Sequence, residues 1–135
     1  NMWRQRWPIL DEEYFEWVDI LGAAARAADR GDGFAVAEIG SGEYAIWGIR
    51  AAVAFHRLAP AAATCDVLAV EPFSQNPPKL KQHVAVNLPA GRCRIVSSTS
   101  EIGTKESLVA QLDAAAPRVS RWDLVDMDMQ GAELS

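Results

Sequence analysis

Two kinds of hydrophobic pattern alternate along this chain. Short apolar runs are typical of buried strands, and longer stretches with apolar residues three or four positions apart are typical of helices. Strands are predicted at residues 34–39, 67–70, 94–96 and 122–127. Helices are predicted from Asp11 to about 28, from about 44 to 58, from Pro77 or Pro78 to about 87, and at 105–115. Because strands and helices alternate, the pattern predicts an α/β fold with a parallel sheet, flanking helices and right-handed crossovers.

The helical spacing also predicts which residues of each helix face the sheet. Asp11 is a good N-cap for the first helix, and acids follow in its first turns, where the helix dipole favours them. The inward residues are predicted to be Phe15, Val18, Leu21 and Ala25 in the first helix; Ile46, Trp47, Ile49 and Val53 in the second; and Leu108, Val109 and Leu112 in the last.

Composition narrows the class of protein. The chain has 135 residues, half of them hydrophobic and 23% charged, as expected for one globular domain. We divide it into a helical segment at residues 1–33 and an α/β domain at 34–135. The net charge of −5 provides no basic surface for nucleic acid. No apolar run is long enough for a membrane span, and the start lacks the apolar core of a signal peptide, so we expect a cytoplasmic protein.

The two cysteines and two histidines carry no recognisable motif. Cys65 and Cys93 are too few for a disulfide framework and lack metal-site spacing, so we expect reduced, packed thiols. His56 falls late in the second helix, and His83 falls on the helix after strand two. Each is expected at the surface or at the edge of the core, and His83 away from the predicted cleft.

A glycine turn follows the first predicted strand. Gly40 and Gly42 let the backbone turn tightly and come close to a ligand, and Glu38 offers a carboxylate at the end of that strand. Glu71 ends the second strand in the same way, where an acid is well placed to accept hydrogen bonds from both hydroxyls of a ribose. Open α/β sheets bind nucleotides at the carboxyl ends of their strands. These residues together predict a nucleoside-bearing cofactor.

The fourth predicted strand also ends in acids. Asp126 and Asp128 are two residues apart, so their side chains should share a face. Such a pair could hold a divalent cation or serve as a base. In the alternative interpretation, one of them caps the turn at Gly131 or pairs with an arginine.

Three blocks of the sequence resemble the FkbM-type S-adenosylmethionine-dependent methyltransferases. Residues 37–42 are similar to the first methyltransferase motif, an acid followed by Gly-x-Gly. Residues 68–72, followed by Leu80, His83 and Asn87, resemble the family's V-E-P block and the helix after it. Residues 123–133 resemble its D-x-E/Q-G-A-E block. The resemblance implies a Rossmann-like methyltransferase fold, S-adenosylmethionine as cofactor and methyl transfer to a hydroxyl of a sugar or secondary metabolite, a small-molecule acceptor.

The resemblance also implies roles for individual residues. The motif around the glycine turn would line the methionine and ribose side of the cofactor, and the acid of the second block would hold the ribose hydroxyls. No metal is implied. The expected cofactor-binding residues are Glu38, Gly40, Ser41, Gly42, Tyr44, Glu71, Pro72 and Asp128. Asp128 would stand beside the sulfonium as the catalytic residue, with Gln130 and Glu133 at the mouth of the site toward the substrate. Tyr44 occupies a position where many methyltransferases have a third glycine.

Two other functions remain open at this point. Residues 40–45 also fit the G-x-G-x-x-A variant of NAD(P)-dependent oxidoreductases. Glu38 and a ribose acid some thirty residues on, instead of about twenty, oppose that interpretation. The second alternative is a non-catalytic Rossmann-like binding module. Nucleotide-binding sheets of this type usually have about six strands, so the four predicted here suggest a domain incomplete at its C-terminus. An open sheet edge would favour self-association into a homo-oligomer. We also expect this 135-residue form to be inactive.

Overall fold

The computed structural model describes residues 12–61, 63–72, 77–115 and 119–128. Helices and strands alternate throughout these ranges. In chain order the elements are α1 (Glu12–Arg30), β1 (Phe34–Ile39), α2 (Ile46–Leu58), β2 (Cys65–Val70), α3 (Pro77–Asn87), β3 (Cys93–Ser98), α4 (Lys105–Ala115) and β4 (Leu124–Met127). Among the described residues, no helix is both long enough and apolar enough to cross a membrane.

The four strands form one parallel sheet in the order β3-β2-β1-β4. In the register of β1, Val36 lies opposite Val67 on one side and opposite Leu124 on the other. The predicted α/β class with a parallel sheet and flanking helices is confirmed. The strand order places β1 in the interior of the sheet, with both of its neighbours reached by crossover connections.

Each face of the sheet has its own apolar core. Val36 lies on the face covered by α1, α2 and α3, where Phe34 stacks on Phe55 with the ring centroids 5.1 Å apart. Ala37 and Ile39 lie on the other face, which packs against α4. All six residues of β1 are buried. The continuous apolar run in this strand is therefore explained by helices on both faces, as in other parallel sheets.

The predicted inward face of α1 is wrong. Phe15 is 66% exposed, and Val18 and Leu21 are each 49% exposed. The buried face instead carries small residues with one isoleucine: Ile20, Ala23, Ala24 and Ala27. Both stripes have helical spacing, and the prediction favoured the larger side chains. Alanines let the backbone of α1 approach its neighbours closely, and α1 makes extensive contact with α2, whose buried residues in the same core include Ala51 and Ala52.

Smaller differences concern single positions. Ile46 and Val109 were predicted to face inward, but they are 41% and 45% exposed because each lies toward the solvent side of its helix. Ile49 is buried, and Leu108 and Leu112 pack on the core as predicted.

The second helix begins two residues later than predicted. Ala45, the residue before α2, has a left-handed backbone (φ 48°), so regular helical geometry starts only at Ile46.

The expectation of reduced thiols is also wrong, because the structure joins Cys65 and Cys93 in a disulfide. These residues open β2 and β3 and lie directly opposite each other in the parallel register, with their Cα atoms 4.5 Å apart. A separation of 28 residues along the chain gave no indication of this pairing. Only the register of the two strands brings the sulfur atoms together.

Candidate functional site

The candidate site lies at the carboxyl end of β1. From β1 the chain leads through α2 to β2 and then to β3 on one side, whereas β4 returns to the opposite side of β1. The order of the strands therefore reverses at β1. In open α/β sheets, ligands bind in the crevice formed at such a switch point. The predicted glycine turn, Gly40-Ser41-Gly42, follows β1 at this position.

The glycine turn is fixed to the end of β2. The backbone amides of Gly40 and Ser41 both donate to the carbonyl of Val70, at 2.8 and 3.0 Å. Gly40 has φ 84° and Gly42 has φ 57°, which are left-handed conformations that favour glycine. The prediction that both glycines serve a tight turn is confirmed.

Glu71 lies against this turn. Its Oε2 accepts a hydrogen bond of 3.0 Å from the backbone amide of Gly42, and its side chain is buried. Pro72 follows and is half-buried. The first and second blocks of the predicted site therefore meet, although Glu71 lies 29 residues after Gly42. The parallel pairing of β1 with β2 produces this contact, because it brings the carboxyl ends of both strands to one edge.

The turn also offers an unpartnered polar atom and free space. The Oγ of Ser41 is buried, and no described residue hydrogen-bonds to it. A Cβ built on Gly42 would meet no atom of the described residues within 4 Å, apart from its own chain neighbours. Buried hydroxyls normally have a partner. An unpartnered hydroxyl beside open space over a glycine is expected where a ligand comes close to the backbone.

Glu38 points away from this space and toward α2. Its Oε2 accepts a 2.6 Å hydrogen bond from the backbone amide of Gly48, and the amide of Trp47 also donates to the carboxylate. These amides belong to the first turn of α2, where backbone N–H groups have no hydrogen-bond acceptor within the helix. Glu38 therefore caps α2 from β1.

The surroundings of Glu38 change its acidity. The side chain is 4% exposed, and burial raises its pKa to about 8. The amides of Gly48 and Trp47 oppose this rise, whereas the charges of Asp126 and Glu16 add to it. Near neutral pH, the Glu38 carboxyl group therefore caps α2 in its protonated form.

Gly48 is a residue that sequence reasoning missed. A Cβ at this position would lie 3.0 Å from Oε2 of Glu38 and 3.0 Å from Cγ1 of Val67. The helix therefore needs a glycine here to approach β1 and β2. A glycine inside an otherwise helical pattern was the available signal, because such a residue costs helix stability unless close packing requires it.

Residues of α3 contact the loop after the turn. Nδ1 of His83 donates to the carbonyl of Tyr44 at 2.8 Å, and the two rings meet edge to face. Lys79 forms an ion pair with Glu43 and lies 5.5 Å from the ring of Tyr44. His83 is half-buried, as expected for a histidine at the surface or at the edge of the core, and the helix after β2 contacts the loop that leads into α2 through the hydrogen bond to Tyr44.

The acids at the end of β4 lie beside β1. Asp126 pairs in register with Glu38, and burial together with the charge of Asp128 raises the pKa of Asp126. Its Oδ2 is buried without a hydrogen-bond partner among the described residues. Asp128 is exposed, and its amide donates to the carbonyl of Ile39 at 2.9 Å. Asp128 therefore stands at the end of β1, directly before the glycine turn, whereas the predicted residues Gln130 and Glu133 lie outside the described ranges.

Asp123, at the start of the third block, lies at the opposite edge of the sheet. Its carboxylate is buried and accepts a hydrogen bond from the amide of Ala35 at 3.0 Å. It also pairs with Arg30 at 2.6 Å and with Arg121 at 3.0 Å, and Arg121 reaches Asp32. This network ties the end of α1 to the start of β4. We assign Asp123 a structural role, separate from the candidate site.

The sequence matches no family model, and no curated protein matches it with significant similarity.

Proposed function

We propose that this chain binds S-adenosylmethionine and belongs to a methyltransferase that acts on a hydroxyl group of a small molecule, such as a sugar or secondary metabolite. The observation that carries the proposal is the contact between Glu71 and the amide of Gly42 at the switch point of the sheet. A carboxylate at the end of β2, beside a glycine turn at the end of β1, is placed to accept hydrogen bonds from ribose hydroxyls.

The residues of the turn fit such a cofactor. The Oγ of Ser41 is available as a hydrogen-bond partner, and the open space over Gly42 admits a ligand close to the backbone. Glu71, which lies against the amide of Gly42, is proposed to accept hydrogen bonds from the ribose hydroxyls. A bound S-adenosylmethionine supplies an electrophilic methyl group with a good, neutral leaving group, so the protein mainly has to align the acceptor oxygen.

The cap provided by Glu38 favours this cofactor over NAD. Dinucleotides place their pyrophosphate at the N-terminus of the helix after the glycine turn, where free backbone amides receive the negative charge. Here the amides of Trp47 and Gly48 are already engaged by a buried carboxyl group. A pyrophosphate would have to compete with Glu38 for these donors. A cofactor with a cationic sulfonium and no phosphate has no such requirement.

Asp128 is the residue of this chain best placed for the chemical step. It is exposed at the end of β4 and adjoins the end of β1 through its amide. In the proposed mechanism its carboxylate orients the acceptor hydroxyl and holds the proton that leaves the oxygen. Gln130 and Glu133 follow two and five residues later in the sequence and are proposed to contact the acceptor.

Calorimetric titration with S-adenosylhomocysteine and, separately, with NAD⁺ tests the proposal. We expect binding of S-adenosylhomocysteine, weakened in Glu71→Ala, and no comparable binding of NAD⁺. Tighter binding of NAD⁺ would refute the methyltransferase assignment. Binding of neither cofactor by the folded protein would refute the site itself.

A further inference from the structure

A second cluster of reactive side chains lies at the opposite edge of the sheet from the glycine turn. Cys65 opens β2 and Cys93 opens β3, whereas Glu71 follows the far end of β2. A six-residue strand spans about 20 Å, so this cluster is remote from the proposed cofactor site. His56, in the last turn of α2, completes the cluster. The proposed function uses none of these three residues.

The imidazole of His56 reaches both sulfur atoms. Its Nε2 lies 3.4 Å from Sγ of Cys65 and 3.5 Å from Sγ of Cys93. A disulfide needs no such third group, so the imidazole adds a nitrogen donor beside the two sulfurs that the bond between them does not require. In tetrahedral zinc sites, Zn–S bonds of about 2.3 Å and Zn–N bonds of about 2.0–2.1 Å place nitrogen and sulfur about 3.5 Å apart. Both nitrogen-to-sulfur distances here have about this value, and reduction of the disulfide lets the two sulfur atoms separate to the spacing that a tetrahedral metal requires.

We propose that Cys65, Cys93 and His56 form a zinc site when the disulfide is reduced, with a water in the fourth position. Three donor atoms, two sulfur and one nitrogen, all lie within 4.8 Å of one another. This donor set is typical of zinc, which accepts thiolate and imidazole ligands in tetrahedral geometry. Cys65 is buried, and Cys93 and His56 are half-buried, so solvent can reach the site from one side.

The surroundings of His56 suit a ligand role. Burial lowers the pKa of His56, and the positive charge of Arg92 lowers it further. With the proton on Nδ1, the lone pair of Nε2 faces the two sulfurs. The two thiolates offset the charge of one Zn²⁺.

The two states of the cluster exclude each other. A dithiol reductant breaks the bond between Cys65 and Cys93, becomes a cyclic disulfide itself and leaves two thiols on the protein. Binding of Zn²⁺ then releases one proton from each thiol. Reoxidation by a disulfide compound restores the bond and expels the metal. No zinc-finger spacing shows in the sequence, because the three ligands come from α2, β2 and β3.

Titration of the reduced protein with Co²⁺, under anaerobic conditions and after removal of the reductant, tests this proposal. We expect one Co²⁺ per chain with a thiolate-to-cobalt charge-transfer band, and displacement of Co²⁺ by Zn²⁺. Cys93→Ser should abolish the band. His56→Gln should weaken metal binding by more than about 100-fold, since even the partners behind zinc ligands contribute 10–100-fold. His83→Gln, which changes the chain's other histidine, is the matched control and should bind as the parent does.

Thiol titration and circular dichroism on the same samples make the result decisive. Reduced, folded protein with two titratable thiols and no charge-transfer band would overturn the proposal and leave only a structural disulfide. Full binding by His56→Gln would also overturn it, because the ligand set would be wrong. If reduction unfolds the chain, refolding on addition of one equivalent of Zn²⁺ would support the site, and failure to refold would refute it.

Discussion

The replacement of Glu38 by glutamine should change how the stability of this protein depends on pH. Glutamine has nearly the same shape, and its carbonyl oxygen can still accept the hydrogen bond from Gly48, but it cannot ionise. The parent carboxyl group has a pKa raised from 4.5 to about 8 by burial. Below pH 4.5 both the folded and the unfolded chain hold this proton. Between pH 4.5 and about 8 the unfolded chain releases it and the folded chain keeps it, so the parent loses stability as pH rises.

The size of the effect follows from the shift. Each pKa unit corresponds to 1.36 kcal/mol, so Glu38 should reduce the free energy of unfolding of the parent by about 4 kcal/mol between pH 5 and pH 8.5. The free energy of unfolding of Glu38→Gln should not fall in this way between pH 5 and pH 8.5, because glutamine does not ionise. At pH 5 the two proteins should differ by about 1 kcal/mol or less, as expected for exchange of one hydrogen-bond acceptor. At pH 8.5 the variant should be the more stable protein.

Urea denaturation of both proteins at several values of pH measures this difference. Glu101→Gln, which removes an exposed carboxylate in the loop before α4, is the matched control and should follow the parent at every pH. Asp126→Asn offers an internal check, because the charge of Asp126 contributes to the raised pKa of Glu38. Parallel stability curves for the parent and Glu38→Gln would refute the reasoning, since they would show that Glu38 is ionised in the folded protein.

Three further predictions concern the proposed cofactor site. Gly42→Val should abolish binding of S-adenosylhomocysteine while the protein stays folded, because the side chain would fill the open space over the turn. Gly31→Val changes another left-handed glycine with open surroundings and is the control for backbone strain. Equal binding by both variants would show that the turn does not touch the ligand. Glu71→Ala should weaken binding by about 1.5–3 kcal/mol and Glu71→Gln by less, since glutamine keeps one acceptor; calorimetry that finds parent-like affinity in both would place the ribose elsewhere. Asp128→Asn should lower kcat much more than cofactor affinity, because alignment and proton removal act in the transition state. A methyl-transfer assay with unchanged kcat would remove Asp128 from the mechanism.

Local pattern was sufficient for most elements. The bounds of β1 and α4 agree with the prediction to the residue, because β1 is apolar except for Glu38 near its end and α4 has apolar residues at helical spacing between polar loops. The positions of the glycine turn and of Glu71 at strand ends were also available from the sequence. Each of these features depends on residues that are near one another in the chain, where spacing alone carries the information.

The direction in which each side chain points was decided by the tertiary structure. The sequence of α1 contains a stripe of large apolar residues and a stripe of alanines, and only the close approach of α2 selects the alanines for burial. Glu38 was correctly placed at the end of a strand, yet it caps α2 because Gly48 leaves room for its carboxylate.

By itself, the sequence determined the alternation of strands and helices, the parallel class of the sheet and the glycine turn with its two acids. The tertiary structure decided the strand order, the face that each helix buries and the pairing of Cys65 with Cys93 and His56. The physical reason is the range of the interactions. Periodicity and turn chemistry act over a few residues, whereas register and close packing depend on which distant segments share the interior.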